Sequence, residues 1–242
     1  MRALLLNSGI GKRMGSVTKD IPKCLVEIAP GESIIDRQVR VLQENGISEI
    51  VVTTGPFEDQ LHSFFKQKYP HIQVTFIHNP NYKNTNYIYS MWLAREVLNR
   101  DILLMHGDLV LDFQICSRVI HFSEKNCVVM DKQAPLPEKD FKGRLIAGYV
   151  KEIGINVTGA GAYFLLPLYR LQKDTFNTWM QEIEHFVERN DNSVYAENAF
   201  NEISDVIHLK PLWMDGETCM EVDTYEDLEA ARKLVKKNAK NS

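Results

Sequence analysis

The sequence predicts an α/β protein with a single doubly wound, mostly parallel sheet that is flanked by helices. Strand-like and helix-like segments alternate through its first half, and the strand-like segments are nearly continuous apolar runs. Such runs are typical of strands that are buried on both faces of a parallel sheet. The chain has 242 residues, of which 44% are hydrophobic and 25% charged. This composition is that of an ordinary globular domain, and we expect one domain.

Hydrophobic periodicity gives the elements of the first half. Strands are predicted over residues 3–7, 50–54, 74–78 and 102–106, and helices over residues 33–45, 59–69 and 87–98. Gly46 ends the first helix at its C-cap. A strand, a helix and a strand joined by short connections form a βαβ unit. Ligands of such sheets lie beyond the carboxyl ends of the strands.

The second half is less regular and predicts a smaller, mixed part of the same domain. Strands are expected over residues 127–130, 145–153 and 161–166, and helices over residues 176–189 and 224–240. Thr224 is the expected cap of the last helix. We divide the domain into residues 1–125, 126–218 and 219–242, the last comprising a short strand and the final helix.

Charge and cysteine content exclude several classes of protein. The net charge of −4 argues against general nucleic-acid binding,. No apolar run approaches the ~18 to 20 residues that span a bilayer, so no membrane contact is expected. The four cysteines lack a C-x-x-C pair, and no signal-peptide pattern is seen, so we expect reduced thiols in a cytoplasmic protein. The histidines lack metal-ligand spacing, which argues against a histidine-based metal site.

The loop after the first strand is the strongest motif. Residues 7–15 read Asn-Ser-Gly-Ile-Gly-Lys-Arg-Met-Gly. Glycines let successive backbone amides face one anion, and nearby cations add charge. The spacing fits neither G-x-G-x-x-G, because of Met14, nor the P-loop, because Arg13 follows Lys12. The loop therefore predicts a polyphosphate site of another type, and an ordinary turn with solvated cations is the alternative.

This loop, followed by Pro-Lys-Cys-Leu at residues 22–25, resembles the signature of the nucleotidyltransferase family with the GT-A-like fold. The usual form there is Leu-Ala-x-Gly-x-Gly-x-Arg and then Pro-Lys. Within the family, the chain is most similar to the branch that joins CTP to phosphocholine. The loop and this resemblance together imply two sets of residues. The nucleotide-binding residues are Asn7, Ser8, Gly9, Gly11 and Lys12. The catalytic cations are Lys12, Arg13 and Lys23.

Two carboxylates are candidate metal ligands. Asp108 follows the strand at 102–106, where a carboxylate beside phosphates needs a cation, and Mg²⁺ prefers oxygen ligands. Glu221 and Asp223 share one face of a short alternating segment and would repel without a cation or a basic partner. The resemblance implies that Asp108 and Asp223 bind Mg²⁺. The alternatives are a turn-forming Asp108 and an Asp223 that caps the final helix with Thr224.

The segment at residues 79–90 is rich in amides and aromatics. Asn84 and Asn86 are candidates for contact with the base, and the resembling branch has a similar segment at its nucleotide. An Asx-rich turn with Thr85 or Asn86 as the helix cap is an equal alternative.

Residues 194–198, Val-Tyr-Ala-Glu-Asn, resemble the family element Leu-Tyr-Trp-Asp-Asn, which helps to hold the choline cation. An aromatic face with a carboxylate suits a quaternary ammonium through cation–π and charge attraction. Tyr195, Glu197 and Glu221 are the candidate acceptor-binding residues. Lys139 and Lys142 are expected either to meet the acceptor's phosphate or to be solvated.

These residues together predict a magnesium-dependent cytidylyltransferase that makes CDP-choline and pyrophosphate from CTP and phosphocholine, as a monomer or a homodimer. No general base is required, because the acceptor phosphate is already an anion. Other acceptors, such as 2-aminoethylphosphonate or a sugar 1-phosphate, remain open. A nucleotide-binding regulatory module without chemistry is the alternative from another class.

Overall fold

A computed structural model of the chain describes residues 1–238. The strands are β1 (Arg2–Leu6), β2 (Glu27–Ala29), β3 (Glu32–Ser33), β4 (Glu49–Thr54), β5 (Gln73–His78), β6 (Ile102–His106), β7 (Leu109–Leu111), β8 (Cys127–Asp131), β9 (Lys142–Ile146), β10 (Tyr149–Gly154), β11 (Ala162–Leu171), β12 (Lys210–Trp213) and β13 (Cys219–Glu221). The α-helices are α1 (Ile34–Glu44), α2 (Glu58–Lys68), α3 (Tyr87–Ala94), α4 (Phe113–His121), α5 (Lys173–Glu188), α6 (Ala196–Glu202) and α7 (Tyr225–Asn238). Short 3₁₀ helices span Lys12–Thr18, Lys23–Leu25 and Arg95–Val97.

One central sheet runs through both halves of the chain. Its order is β10-β9-β11-β6-β1-β4-β5, and β8 and β12 extend it beside β11. Strands β6, β1, β4 and β5 are mutually parallel, with Leu4 opposite Val51 and Leu104. Strand β11 runs antiparallel to β6, β8 and β9. The predicted fold is thus confirmed, and the antiparallel strands of the central sheet, β8 to β11, all come from the second half of the chain.

Both faces of the sheet are covered by apolar clusters. Successive side chains of a strand point to opposite faces. Accordingly, Leu4 and Leu6 pack in a cluster with residues of α3 and α5, whereas Ala3 and Leu5 pack in another with residues of α1 and α4. This two-sided burial explains why β1 is an uninterrupted apolar run.

Two predicted strands differ from the structure. The segment at 145–153 is a hairpin of β9 and β10, because Ala147 and Gly148 adopt positive φ angles of 51° and 79° and form a tight turn,. The strand predicted to end at residue 166 continues as β11 to Leu171. Pro167 lies within the shift of register between Leu166 and Tyr169 opposite β8, which accommodates a residue without an N–H,.

The start of the final helix agrees with its predicted cap. The Asp227 N–H donates to Thr224 Oγ1 at 3.2 Å, and the Thr224 N–H donates to Asp227 Oδ2 at 2.8 Å,. The carboxylate of Asp223 is engaged elsewhere, so the alternative in which it caps this helix is wrong. Residues 239 and 240 of the predicted helix lie outside the described residues.

The four cysteines are free and buried, in agreement with the prediction of reduced thiols. Among the described residues, no helix combines the length and the apolar character needed to cross a bilayer.

Helix α1 begins with a reciprocal cap that also ties it to α2. The Asp36 N–H donates to Ser33 Oγ, while Asp36 Oδ2 accepts from the Ser33 N–H at 2.9 Å. Asp36 Oδ1 accepts a hydrogen bond from Tyr69 Oη at 2.9 Å and pairs with Lys68 Nζ at 2.6 Å. Burial opposes ionisation, but these partners outweigh it and hold the pKa of Asp36 below its usual value of 3.8.

We expect Asp36→Asn to destabilise the protein at pH 7 by about 1 to 2 kcal/mol, because the cap and its ion pair are weakened. A lowered carboxyl pKa in the folded state contributes stability above the unfolded pKa, and this contribution is lost as the pH falls. The gap between wild type and variant should therefore shrink between pH 5 and pH 3. Urea unfolding measures it, with exposed Asp59→Asn in the first turn of α2 as control. A gap that stays constant with pH would contradict the assignment.

Candidate active site

A cavity of about 310 Å³ opens beyond the carboxyl ends of β1 and β6. Its wall brings together most of the residues that the sequence singled out, namely Asn7, Ser8, Gly9, Gly11, Lys12, Arg13, Lys23, Asn86, Asp108, Tyr195, Glu221 and Asp223. Asn84 is exposed and lies outside this wall, and Glu197 is buried behind it. Asn7 and Asp108 meet because β1 and β6 are parallel and end at the same edge of the sheet,.

The glycine loop has the shape of an anion cradle. Gly11 has a φ of 72°, in the left-handed region that favours glycine, and precedes the 3₁₀ helix Lys12–Thr18,. Thr18 Oγ1 donates to the Gly11 carbonyl at 2.7 Å and closes the turn. At the other end, the Asn7 N–H donates to Thr53 Oγ1 at 3.0 Å, so the loop is attached to β4. Lys12 and Arg13 follow Gly11 in the chain, and their exposed side chains line the cavity.

Two glycines outside the loop allow this arrangement. A Cβ on Gly55 would lie 2.3 Å from the Ser8 carbonyl oxygen, and one on Gly107 would lie 1.9 Å from Asn7 Oδ1. Only glycine permits so close an approach of β4 and β6 to the loop. The sequence analysis missed both residues as parts of the site. The available signal was that each of them directly follows a predicted strand.

Lys23 joins the two predicted metal ligands. Its Nζ lies 2.7 Å from Asp108 Oδ2 and 2.5 Å from Asp223 Oδ1, while Arg13 pairs with Asp223 Oδ2 at 2.8 Å. The pairing of β7 with β13, extended by the Val222 N–H that donates to the Asp108 carbonyl, holds the two acids together. The cation that two adjacent carboxylates require is therefore supplied by the chain itself.

The ionisation of these groups follows from their burial and charges. Burial disfavours the charged form of Asp108, but the Lys23 ammonium outweighs it and lowers the pKa of Asp108. Burial likewise opposes the charged form of Lys23, but the two aspartates raise its pKa. Asp108 Oδ1 is buried and has no hydrogen-bond partner among residues 1–238. A free, buried carboxylate oxygen beside a second carboxylate fits Mg²⁺, which prefers oxygen ligands.

A histidine that the sequence analysis set aside lies next to Asp108. His106 Nδ1 is 3.6 Å from Glu221 Oε1, an ion-pair distance. Burial, together with the nearby charge of Asp108, raises the pKa of Glu221 to about 7 although His106 opposes this. Gln38 of α1 holds the turn by donating to the carbonyls of His106 and Leu109, both at 2.9 Å. Sequence spacing gave no signal for this pair, because its members are distant in the chain.

Four rings form what we call the aromatic box, consisting of Tyr87, His106, Phe141 and Tyr195. The ring centroids are 4.8 Å apart for Tyr87 and His106, 5.0 Å for Phe141 and Tyr195, and 5.9 Å for Tyr87 and Tyr195. All four residues line the cavity. The box therefore offers ring faces and edges to the cavity.

Glu197 supports this box from behind. It is 1% exposed, and its carboxylate accepts hydrogen bonds from Tyr87 Oη and, at 3.0 Å, from Tyr169 Oη. Burial, with the charge of Glu197, raises the pKa of both tyrosines well above the usual value, so they remain hydrogen-bond donors. The sequence predicted that Glu197 contacts the acceptor, but its side chain is not on the cavity wall. It contacts Tyr87, which is on that wall, and can act on the cavity only through this residue.

The amide-rich segment is partly a helix cap. Asn86 Oδ1 accepts from the Tyr87 N–H at 2.8 Å and caps α3, as one alternative predicted. Asn79, which is buried, donates to Ser90 Oγ at 2.9 Å, and Ser90 Oγ lies 2.7 Å from Ser8 Oγ. This chain of hydrogen bonds connects the segment to the loop. The predicted contacts of Asn84 and Asn86 with a base stay predictions.

Lys139 and Lys142, the two lysines considered for the acceptor's phosphate, differ in their surroundings. Lys139 lines the cavity. Lys142 is 2% exposed and donates to the Pro137 carbonyl at 2.7 Å. For Lys142 both expected roles are wrong, since its ammonium is neither solvated nor on the cavity wall.

Comparisons with known proteins identify the family of this chain. Residues 3–240 match the family model described as the MobA-like NTP transferase domain. CTP:phosphoglutamine cytidylyltransferase of Campylobacter jejuni is 29% identical over 95% of this chain and 98% of its own length. Choline-phosphate cytidylyltransferase of Streptococcus pneumoniae is 33% identical, over only 40% of this chain and 41% of that protein.

Solved structures share the fold. A structure of CTP:phosphocholine cytidylyltransferase from Streptococcus pneumoniae superposes with a TM-score of 0.77 at 19% identity, covering 97% of this chain and 98% of that one. Inositol-1-phosphate CTP transferase from T. maritima gives a TM-score of 0.78 at 19% identity, covering 96% of each chain. The predicted resemblance to nucleotidyltransferases with the GT-A-like fold is thereby confirmed.

The close approach at Gly55 yields a test of the loop. We expect Gly55→Ala to weaken nucleoside triphosphate binding by about tenfold or more, because its Cβ displaces the Ser8 backbone although Gly55 is not on the cavity wall,. Isothermal titration calorimetry measures the affinity. Gly154→Ala is the matched control, because its Cβ would make ordinary contact with Val157 at 3.6 Å. Unchanged affinity in a folded Gly55→Ala protein would contradict the role of this packing.

Proposed function

This chain belongs to the MobA-like NTP transferase domain family, and from that premise we propose that it transfers CMP from CTP to phosphocholine. The products are CDP-choline and pyrophosphate. The observation that carries the proposal is that one cavity is lined both by a glycine loop with cations and by the aromatic box. The loop suits a triphosphate, and the box suits a methylated ammonium.

We propose a division of labour along the parts into which the sequence divides the domain. Residues 1–125 supply the loop, Lys23 and Asp108 and also two rings of the aromatic box, Tyr87 and His106, whereas residues 126–218 supply its other two rings, Phe141 and Tyr195. We assign the first part to the nucleotide and the second to the acceptor. The segment after residue 218 adds Glu221 and Asp223.

The acceptor's trimethylammonium group would lie against the rings of the aromatic box. Cation–π attraction and the nearby negative charge of Glu197 favour a cation there. Both oxygens of Glu197 already accept hydrogen bonds from phenols. A quaternary ammonium donates no classical hydrogen bonds, so it suits a box in which this carboxylate is already satisfied.

In the reaction, an oxygen of the acceptor phosphate attacks the α-phosphorus of CTP in line. The bond from this phosphorus to the bridging oxygen breaks, and pyrophosphate leaves. Lys12, Arg13 and Lys23 offset the charge that accumulates on the leaving group. Asp108 and Asp223 would hold Mg²⁺, which when bound screens the negative charges of the phosphates. Lys23 contacts both acids in the free protein, so it is positioned to turn toward phosphate oxygens.

Phosphoglutamine is a second candidate acceptor, favoured by the name of one relative and by the position of Lys139. The Campylobacter jejuni relative that matches over nearly its full length is named for it. An amino-acid acceptor carries a carboxylate as well as an ammonium, and Lys139 on the cavity wall would pair with such a carboxylate,.

Pyrophosphate release tests the proposal directly. CTP, UTP, ATP and dTTP are each combined, with Mg²⁺, with phosphocholine, phosphoglutamine, 2-aminoethylphosphonate, phosphoethanolamine and glucose 1-phosphate. We expect the highest kcat/KM with CTP and phosphocholine. A preference for CTP with phosphoglutamine would replace the acceptor and retain the nucleotide. A preference for another nucleotide, or no turnover with any pair, would overturn the proposal.

Replacement of Tyr195 tests the acceptor end alone. We expect Tyr195→Leu to raise KM for phosphocholine by about tenfold, because a ring face is lost from the box, and to leave KM for CTP nearly unchanged. Tyr195→Phe is the matched control, since it keeps the ring and should behave like wild type. Equal effects of both substitutions on KM would show that the hydroxyl, and not the ring, contacts the acceptor.

A further inference from the structure

The hydroxyl of Ser8 is the last member of a chain of hydrogen bonds that ends at the cavity. Ser8 lines the cavity, and its Oγ lies 2.7 Å from Oγ of Ser90. Ser90 Oγ in turn accepts from Nδ2 of Asn79 at 2.9 Å. Ser90 and Asn79 are 0% and 1% exposed, so their polar atoms depend on partners within the protein,. The distance between the two hydroxyls does not decide which one donates, but their other partners do.

The amide of Asn79 has a fixed orientation. The Asn81 N–H donates to Asn79 Oδ1 at 2.9 Å, and a backbone N–H only donates, so this atom is the amide oxygen,. The amide nitrogen therefore faces Ser90 Oγ and also donates to Thr85 Oγ1 at 3.1 Å. Thr85 Oγ1 donates its own hydrogen to the Asn81 carbonyl at 3.0 Å. Both hydrogens of the Asn79 amide are thus used, and Ser90 Oγ is the acceptor of one of them.

Ser90 therefore needs an acceptor for its own hydrogen. A helical serine often donates to the carbonyl four residues earlier, but within residues 1–238 Ser90 Oγ has no partner besides Asn79 and Ser8,. A buried hydroxyl hydrogen without a partner is costly, so Ser90 donates to Ser8. Ser8 Oγ has no other partner in the described part of the chain. The hydrogen of Ser8 is consequently free to be donated into the cavity.

An uncharged base suits this donor better than a phosphate does. The side chains connected to Ser8 are all uncharged, namely Ser90, Asn79 and Thr85. Phosphate groups are bound most strongly by charged donors, and the cations of the glycine loop already supply these,. We propose that the Ser8 hydroxyl donates to N3 of cytosine, and that Asn79 and Ser90 orient it so that the cavity selects CTP over UTP.

The two pyrimidines differ in the polarity of this ring atom. N3 of cytosine is an acceptor, whereas N3 of uracil carries a hydrogen and donates. Ser8 could accept that hydrogen only if its own hydrogen stayed unpaired once the base covered it, which is costly. Because Ser90 is not on the cavity wall, it acts through Ser8 as a positioning residue. The inference rests on the proposed function for the nucleotide, but not for the acceptor.

Isothermal titration calorimetry of the full chain with Mg²⁺ and no acceptor tests the contact. CTP is compared with UTP and with 3-deaza-CTP, in which a C–H group replaces N3. We expect wild type to bind 3-deaza-CTP about tenfold or more weakly than CTP. In Ser8→Ala, the affinity for CTP should fall about tenfold and that for UTP less than about threefold, and CTP and 3-deaza-CTP should bind equally. Wild type that binds 3-deaza-CTP as tightly as CTP would overturn the inference, and this result needs no variant to fold.

Removal of the Ser90 hydroxyl tests the positioning. We expect Ser90→Ala to lower the ratio of CTP to UTP affinity by about threefold or more, because the Ser8 hydroxyl is no longer oriented. Ser204→Ala is the matched control, since this buried serine also loses one hydrogen bond, to the Asn201 carbonyl, and lies outside the cavity wall. Its ratio should equal that of wild type.

Two further outcomes separate this inference from the proposed function. A wild type that selects CTP, with a selectivity that survives in folded Ser8→Ala, overturns the inference alone. A wild type that binds UTP as tightly as CTP overturns both the inference and the proposed nucleotide. Selective binding of CTP that depends on Ser8, in a protein without turnover on phosphocholine, supports the inference and discards only the acceptor.

Discussion

The bridge of Lys23 between Asp108 and Asp223 is the interaction on which the site depends. Lys23 lies 85 residues from the first acid and 200 from the second. Two partly buried carboxylates without a cation between them would repel each other, and their desolvation would be uncompensated. The ammonium therefore joins the start, the middle and the end of the chain at one edge of the sheet. A group that neutralises two acids in the free protein is also close to where phosphates would arrive.

Around this bridge, the parallel strands form the base of the site, and two glycines allow the loop to pack closely against them. Strands β1, β4 and β6 end side by side, and their connecting turns touch one another. Gly55 and Gly107 have no side chain, so the loop at Asn7 and Ser8 packs directly against their backbones. Precise positioning of this kind is what transfer chemistry requires, since most of the catalytic effect comes from placement and electrostatics.

The aromatic box is built on a different principle, in which a buried carboxylate holds the aromatic rings from behind. Glu197 does not reach the cavity, but it fixes Tyr87 through a hydrogen bond and leaves its negative charge close behind the ring. His106 belongs to the aromatic box and also faces Glu221, with its Nδ1 3.6 Å from Glu221 Oε1. One side chain thus connects the aromatic rings to the carboxylates on the cavity wall.

The sequence alone determined the order of most elements, the glycine loop and the position of Asp108 after β6, because these depend on local apolar runs and turn residues. It left the hairpin of β9 and β10 unseen, since a left-handed Ala147 has no strong local signal. Only the tertiary structure decided that His106 meets Glu221 and that Glu197 lies behind Tyr87. Such contacts join residues more than a hundred positions apart. They depend on the order of the strands and on packing, which local sequence patterns do not encode.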